Sequence, residues 1–312
     1  KTLLMAGALQ KTHQKIVIAV PNLYYANQLV DDFLNILPSE QVHLFPVDEV
    51  LSAEMAFSSP EARADRVSAL NFLMTANAGI VVVPVAGLRK YLPTKETWQN
   101  AQLHWEIGTE VEPEILAQRL VLMGYERQSM VGKPGEFSIR GSIIDVYPLN
   151  AEYPVRVELF DVEIDSIRYF EADTQRSLEN LEEVTISPMT DLVFSKSDMN
   201  HGMMRLQDAL EKRLATAKDQ TETDFLEEYF GQLLSSWEQG IPTENAHYYT
   251  DFLYQQKTTL LDYLPENSLL FVDDYSRMME TEREIAREEA EWQTLKIEEM
   301  RVFSEQTFGV DF

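Results

Sequence analysis

Four short apolar runs constrain this chain most: KIVIAVP at 15–21, VHLFPV at 42–47, GIVVVPV at 79–85 and SLLFV at 268–272. Runs without a polar alternate suit strands buried on both faces, as in a parallel sheet covered by helices. The spacing between them is helical: Ala26, Leu29, Val30, Phe33 and Leu37 recur on one face until Pro38, and Ser59-Pro60 offers a cap and first-turn proline ahead of Val67, Leu70 and Leu73. Since three runs fall in the first hundred residues and one near residue 270, the simplest assembly is one sheet built from two chain segments. Helices are expected around Met203, Leu206 and Leu210, over 225–234, and from about Ser276. The last is expected to bury Met278, Ile285, Trp292 and Leu295 and to turn Glu284, Arg287 and Glu291 to solvent.

The middle of the chain has a different period. Glu112-Pro113-Glu114 begins a helix carrying Leu116, Leu120 and Met123, and Gly124 ends it. From Glu136 the sequence EFSIRGSIIDVYPLNAEYPVRVELFDVEIDSIRYF alternates in short segments broken by Gly141, by Pro148-Leu149-Asn150 and by Pro154. That pattern describes an antiparallel meander. The expected fold is therefore α/β, a parallel-sheet, helicase-like body formed by residues 1–97 and 191–312, with an inserted α+β domain, 98–190, containing an antiparallel sheet.

Composition excludes several kinds of chemistry. The absence of cysteine removes disulfides, thiolate nucleophiles and thiolate-held metals. His13, His43, His104, His201 and His247 are too far apart to pair on one helical turn. No metal and no cofactor is expected. No run approaches the roughly 20 apolar residues of a membrane span, and no signal-peptide layout opens the sequence, so a cytoplasmic location is expected. Lys plus Arg number 26 against 52 Asp plus Glu, a net charge of -26 that repels phosphate backbones. The excess serves either solubility or a partner whose surface is basic or mixed.

Short motifs are weaker guides. Lys1-Thr2 before an apolar helix is like the end of a phosphate-binding loop, and Asp273-Asp274 after SLLFV occupies a strand end where magnesium-holding acids sit. The glycines of such a loop are not in the sequence, and Asp274 stands where Glu is usual. Lys1, Thr2 and Asp273 thus read as a vestigial nucleotide site. Glu136, Asp145, Glu158 and Asp161 would supply a carboxylate pair, although chance neighbours are common in so acidic a chain. No serine-histidine-acid arrangement and no dinucleotide fingerprint is visible, so no catalytic residue is assigned. Strand alternation places Arg156, Glu158 and Phe160 on one face, and Arg140 can join them from a neighbouring strand. Guanidinium beside aromatic ring is the composition of binding hot spots. The alternative is an Arg156 to Glu158 pair flanking a buried Phe160.

Longer stretches carry a resemblance. GEFSIRGSIIDVYP, YPVRVELFDVEIDSIRYF and DTQRSLENLEEV resemble the second domain of bacterial transcription-repair coupling factors and, more distantly, that of UvrB. PNLYYANQLVDDF, LFPVDEVLSAEMAFSSPEARADRVSAL and VVVPVAGLRKYLP are similar to the first domain of those factors, and LLDYLPENSLLFVDDYSR to the segment that completes it. The resemblance implies a UvrB-mimicking scaffold that binds UvrA to start nucleotide excision repair. It implies Arg140, Arg156 and Phe160 as the UvrA contacts. It assigns RNA polymerase displacement, DNA and ATP-driven translocation to later domains that this stretch does not contain, so the chain is not expected to be an enzyme itself; a monomer is expected. Where UvrB carries a tyrosine-rich hairpin, this chain has only DEVLSAEMAFSS, and lesion gripping is not expected. The rival expectations are a truncated helicase-like ATP-binding domain using Lys1, Thr2 and Asp273, and a structural spacer with no affinity for UvrA.

Overall fold

A computed structural model describes residues 1–47, 59–149, 151–239 and 245–310. The stretch DEVLSAEMAFSS lies, Ser59 apart, outside the described residues. In chain order the elements are α1 (Thr2–Thr12), β1 (Lys15–Val20), α2 (Leu23–Leu34), β2 (Val42–Leu44), α3 (Pro60–Thr75), β3 (Gly79–Pro84), α4 (Val85–Arg89), α5 (Lys95–Ala101), β4 (Leu103–Glu106), α6 (Pro113–Leu122), β5 (Glu126–Arg127) and β6 (Glu136–Arg140). There follow β7 (Ile143–Val146), β8 (Val155–Phe160), β9 (Glu163–Phe170), β10 (Ser177–Leu181), β11 (Glu183–Ile186), α7 (Lys196–Leu214), α8 (Gln220–Glu238), α9 (Thr250–Leu253), β12 (Leu269–Val272) and α10 (Tyr275–Glu298). They form two compact units, one of Lys1–Lys95 with Phe194–Phe312, the other of Glu96–Val193.

In the first unit a parallel sheet runs in the order β12-β1-β3-β2, and β12 enters beside β1 with Ile16 opposite Leu269. The distant SLLFV run thus completes the sheet begun by the first hundred residues. Every residue of β1 and β3 is buried. Met5 and Leu9 of α1 and Ala26 and Phe33 of α2 pack with Ile16, Ile18, Val20, Ile80 and Val82. Asn22 caps α2 by accepting the Tyr25 N–H, and Ser59 caps α3 by accepting that of Ala62. Two details differ from expectation. At the sheet edge, Leu270 and Val272, alternate residues of β12, stand exposed. The strand at 42 ends at Leu44, although the Phe45 N–H still donates to the Val82 carbonyl. Pro46, without an N–H, stops it there.

The long helix α10 also sorts its residues differently. Met278, Ile285 and Trp292 face inward as their spacing requires, but Glu282 joins them and Leu295 is exposed. A buried cation decides the matter: Arg89 bonds Glu289 at 2.9 Å, lies 3.8 Å from Glu282, and donates through Nε to the Val310 carbonyl at 3.0 Å. A second aromatic cluster gathers Phe230 and Trp237 of α8 with Tyr249, Phe252 and Phe303. Where α7 meets α9, a glycine permits a close approach. A Cβ on Gly202 would fall 2.7 Å from Leu253 Cδ2 and 3.1 Å from its Cα. Gly202→Ala is therefore expected to destabilise the chain by about 1–3 kcal/mol in denaturant unfolding, against its gain in helix propensity. An unchanged midpoint would show that this contact yields freely.

The second unit is built on a six-stranded sheet, β10-β9-β8-β7-β6-β5, antiparallel except for the β5–β6 pair. A two-stranded pair, β4 with β11, accompanies it. Phe137, Ile144, Val146, Val155, Val157 and Ile167 project from one face into a core shared with Leu116 and Leu120 of α6. Pro113 starts that helix, and Gly124, at φ 92, turns the chain beyond its end.

Candidate functional site

Because β6 to β9 bury one set of alternating side chains, the other set forms the opposite face of the sheet. Asp145 sits directly across from Arg156, which lies opposite Arg168, and Ile143 is opposite Glu158 and Arg140. Arg140, Arg156 and Phe160 thus do share a face, as alternation requires. They differ sharply in access: Phe160 is 78% exposed and Arg156 only 9%.

Arg156 is held by its own neighbours. Its Nε and Nη2 donate to the two oxygens of Asp145 at 2.6 and 2.9 Å, a bidentate pair, and Nη2 also donates to Gln175 Oε1 at 2.7 Å. The guanidinium carbon stands 4.2 Å from the centre of the Phe170 ring. Hydrogen bonding to Asp145 raises the Arg156 pKa above its ordinary value, so the group stays charged. Three freely accessible anchors are therefore not what the sheet presents. The alternative read from periodicity fails too, since Glu158 pairs with Arg168, not Arg156, and Phe160 is not buried.

Arg140 meets the same carboxylate from the other side. Its Nη2 donates to Asp145 Oδ2 at 2.6 Å, while its side chain keeps 39% exposure. Asp145 itself is wholly buried. Two cations thus share one anion, leaving a net positive spot within a chain of net charge -26. Phe160 ends β8, next to Asp161 in a left-handed conformation at φ 59, which turns the chain into β9 and leaves the ring projecting. A fork of donors and an exposed ring on one sheet face are the kind of groups that bind another protein's surface.

Two of the other acids considered for a carboxylate pair have partners of their own. Glu136 accepts the backbone N–H groups of Gly132 and Lys133, and Arg168 holds the Glu158 carboxyl below its ordinary value. No group of residues fit to hold a metal occurs among the described residues. In the first unit, Lys1 Nζ lies 2.5 Å from Asp273 Oδ1, and the Thr2 hydroxyl bonds Asp32 at 3.1 Å. Lys1 and Asp273 come together as a nucleotide site would need, yet each occupies the other. Asp274 caps α10 by accepting the Arg277 N–H. The sequence reading missed Asp145 as the common partner of both arginines, together with Gln175 and Phe170. The signal available was its alternation on the face of Arg156, but the pairing depends on cross-strand register.

Comparison with known proteins bears on the same segment. Residues 103–192 match the family model described as the UvrB interaction domain. The chain is 39% identical over 302 residues, 97% of its length, to the transcription-repair-coupling factor of Bacillus subtilis (strain 168). It is 32% identical over 315 residues, 99% of its length, to that of Staphylococcus aureus (strain MRSA252). Each match covers 26% of the relative, so the chain spans about a quarter of the length of the curated relatives it matches. No helix among the described residues is long and apolar enough to cross a membrane.

Proposed function

We propose that the chain recruits UvrA in transcription-coupled DNA repair, a reading supported by the match of residues 103–192 to the UvrB interaction domain and by the similarity of nearly the whole chain to transcription-repair-coupling factors. It does so as a scaffold, offering UvrA the surface that UvrB would offer. Arg140, Arg156 and Phe160 form the docking set with divided labour: Phe160 and Arg140 touch the partner, and Arg156 supports them from within. The observation that carries this reading is the ring of Phe160, 78% exposed at the end of β8, on the sheet face that also carries the half-exposed Arg140 two strands away. An exposed aromatic ring is the kind of anchor that a partner's pocket takes up. Displacement of RNA polymerase, and contact with DNA, belong in this reading to other parts of a longer translocase.

Titration of UvrA with the folded chain tests the proposal. Parent protein should bind, and Arg140→Ala should weaken binding by roughly tenfold while leaving the melting temperature in place. Equal affinity of parent, Arg140→Ala and Phe160→Ala would refute the assignment. The chain is further proposed to have no ATPase activity of its own, since the Lys1 ammonium and Asp273 are engaged with each other. Calorimetric titration with magnesium and ATP should show no saturable heat at micromolar nucleotide; saturable binding there would favour the helicase-like alternative.

A further inference from the structure

Asp145 is the least accessible member of the charged group and the one that both arginines share: it accepts from Arg140 once and from Arg156 twice, and no part of it reaches water. A buried carboxylate costs several kcal/mol unless paired, and here both oxygens are paired. Arg156 alone would satisfy that need, through a bidentate pair on the directly opposite residue of β8. The bond to Arg140 is additional, and its effect falls on the half-exposed side chain. A free arginine on a surface samples many rotamers, and holding it in one costs a partner affinity at the moment of binding. Asp145 removes that cost in advance. Among the described residues Arg140 bonds through Nη2, which leaves the rest of the fork to a ligand.

We propose that Asp145 is a positioning residue for docking: fixed from behind by Arg156, Gln175 and Phe170, it holds Arg140 in the conformation that the partner meets. The inference rests on the UvrA-docking reading and adds to it a residue that never touches UvrA. It assigns the buried arginine a role too, since Arg156 anchors Asp145, and Gln175 fixes Arg156 in turn through the 2.7 Å bond.

The test is a double-mutant cycle on UvrA affinity with purified UvrA, using Asp145→Asn, which keeps the shape and removes the charge, and Arg140→Ala. Asp145→Asn should weaken binding roughly 3- to 10-fold in the parent, the range expected for releasing one long side chain. In the Arg140→Ala background the same change should have no further effect. A general disturbance of the sheet would weaken both backgrounds alike, and that result would overturn the proposal. Should Asp145→Asn fail to fold, Arg140→Lys serves instead: charge is kept, the planar fork is lost, and a similar loss is expected; parent-like affinity would overturn the proposal. If Asp145→Asn binds like the parent while Phe160→Ala and Arg140→Ala do not, the positioning role fails and the docking reading stands. If none of the variants loses affinity, the docking reading itself fails.

Discussion

Replacing Arg156 with alanine is expected to destabilise the Glu96–Val193 unit by about 3 kcal/mol, the low end of the range for breaking a buried ion pair. The cause is what remains behind. Asp145, wholly buried, keeps only its single bond to Arg140. Gln175 loses the guanidinium it accepts from, and Phe170 loses the cation stacked 4.2 Å from its ring centre. The low end applies because Arg140 still offers partial compensation. In denaturant titration the midpoint should fall with the slope unchanged, as for a loss of stability without a change in exposed surface. Replacing Asp145 and Arg156 together by apolar residues of similar volume should recover part of the loss, since the unpaired charge is then gone. A shift below about 1 kcal/mol for Arg156→Ala would mean that water reaches Asp145 after all. This expectation also warns against one inference: lost UvrA binding in Arg156→Ala is no evidence of contact, because the face would be disordered from within.

Phe160→Ala should behave in the opposite way. The ring is 78% exposed, so its removal should leave stability within about 0.5 kcal/mol of the parent. Affinity for UvrA should nevertheless fall by about 2 kcal/mol or more, roughly 30-fold, as when an aromatic anchor is withdrawn from a partner's pocket. Thermal melting and binding measured on the same preparation separate the two effects. Unchanged affinity would remove Phe160 from the docking set, and a large drop in melting temperature would mean that the ring packs against its own fold.

How far such a surface can be read from residues alone is clearest in β8. Alternation correctly put Arg156, Glu158 and Phe160 on one face, because strand geometry leaves no choice. Period 2 says nothing about which residue stands opposite. That depends on the Gly141 turn and the connection between β7 and β8, which together bring Asp145 against Arg156 and leave Glu158 to Arg168. Polarity misleads in the same place, for the arginine is buried and the phenylalanine exposed. In the parallel sheet the reading went further: after Lys15, IVIAV is apolar throughout, as is GIVVVP, because both faces are covered, and the LLFV of β12 shares that character although it is an edge strand. The sequence offered no sign of the edge. On α10, helical spacing found Met278, Ile285 and Trp292, but the inward turn of Glu282 depends on Arg89, about 190 positions earlier in the chain, beyond the reach of any local pattern.

The proposition that UvrA meets this chain where it would meet UvrB is tested most directly by competition. Labelled chain bound to UvrA should be displaced completely by unlabelled UvrB, following a single shared site, and the Phe160→Ala chain should require far less UvrB to be displaced. A ternary complex of UvrA, UvrB and this chain, with the label retained at saturating UvrB, would contradict the account.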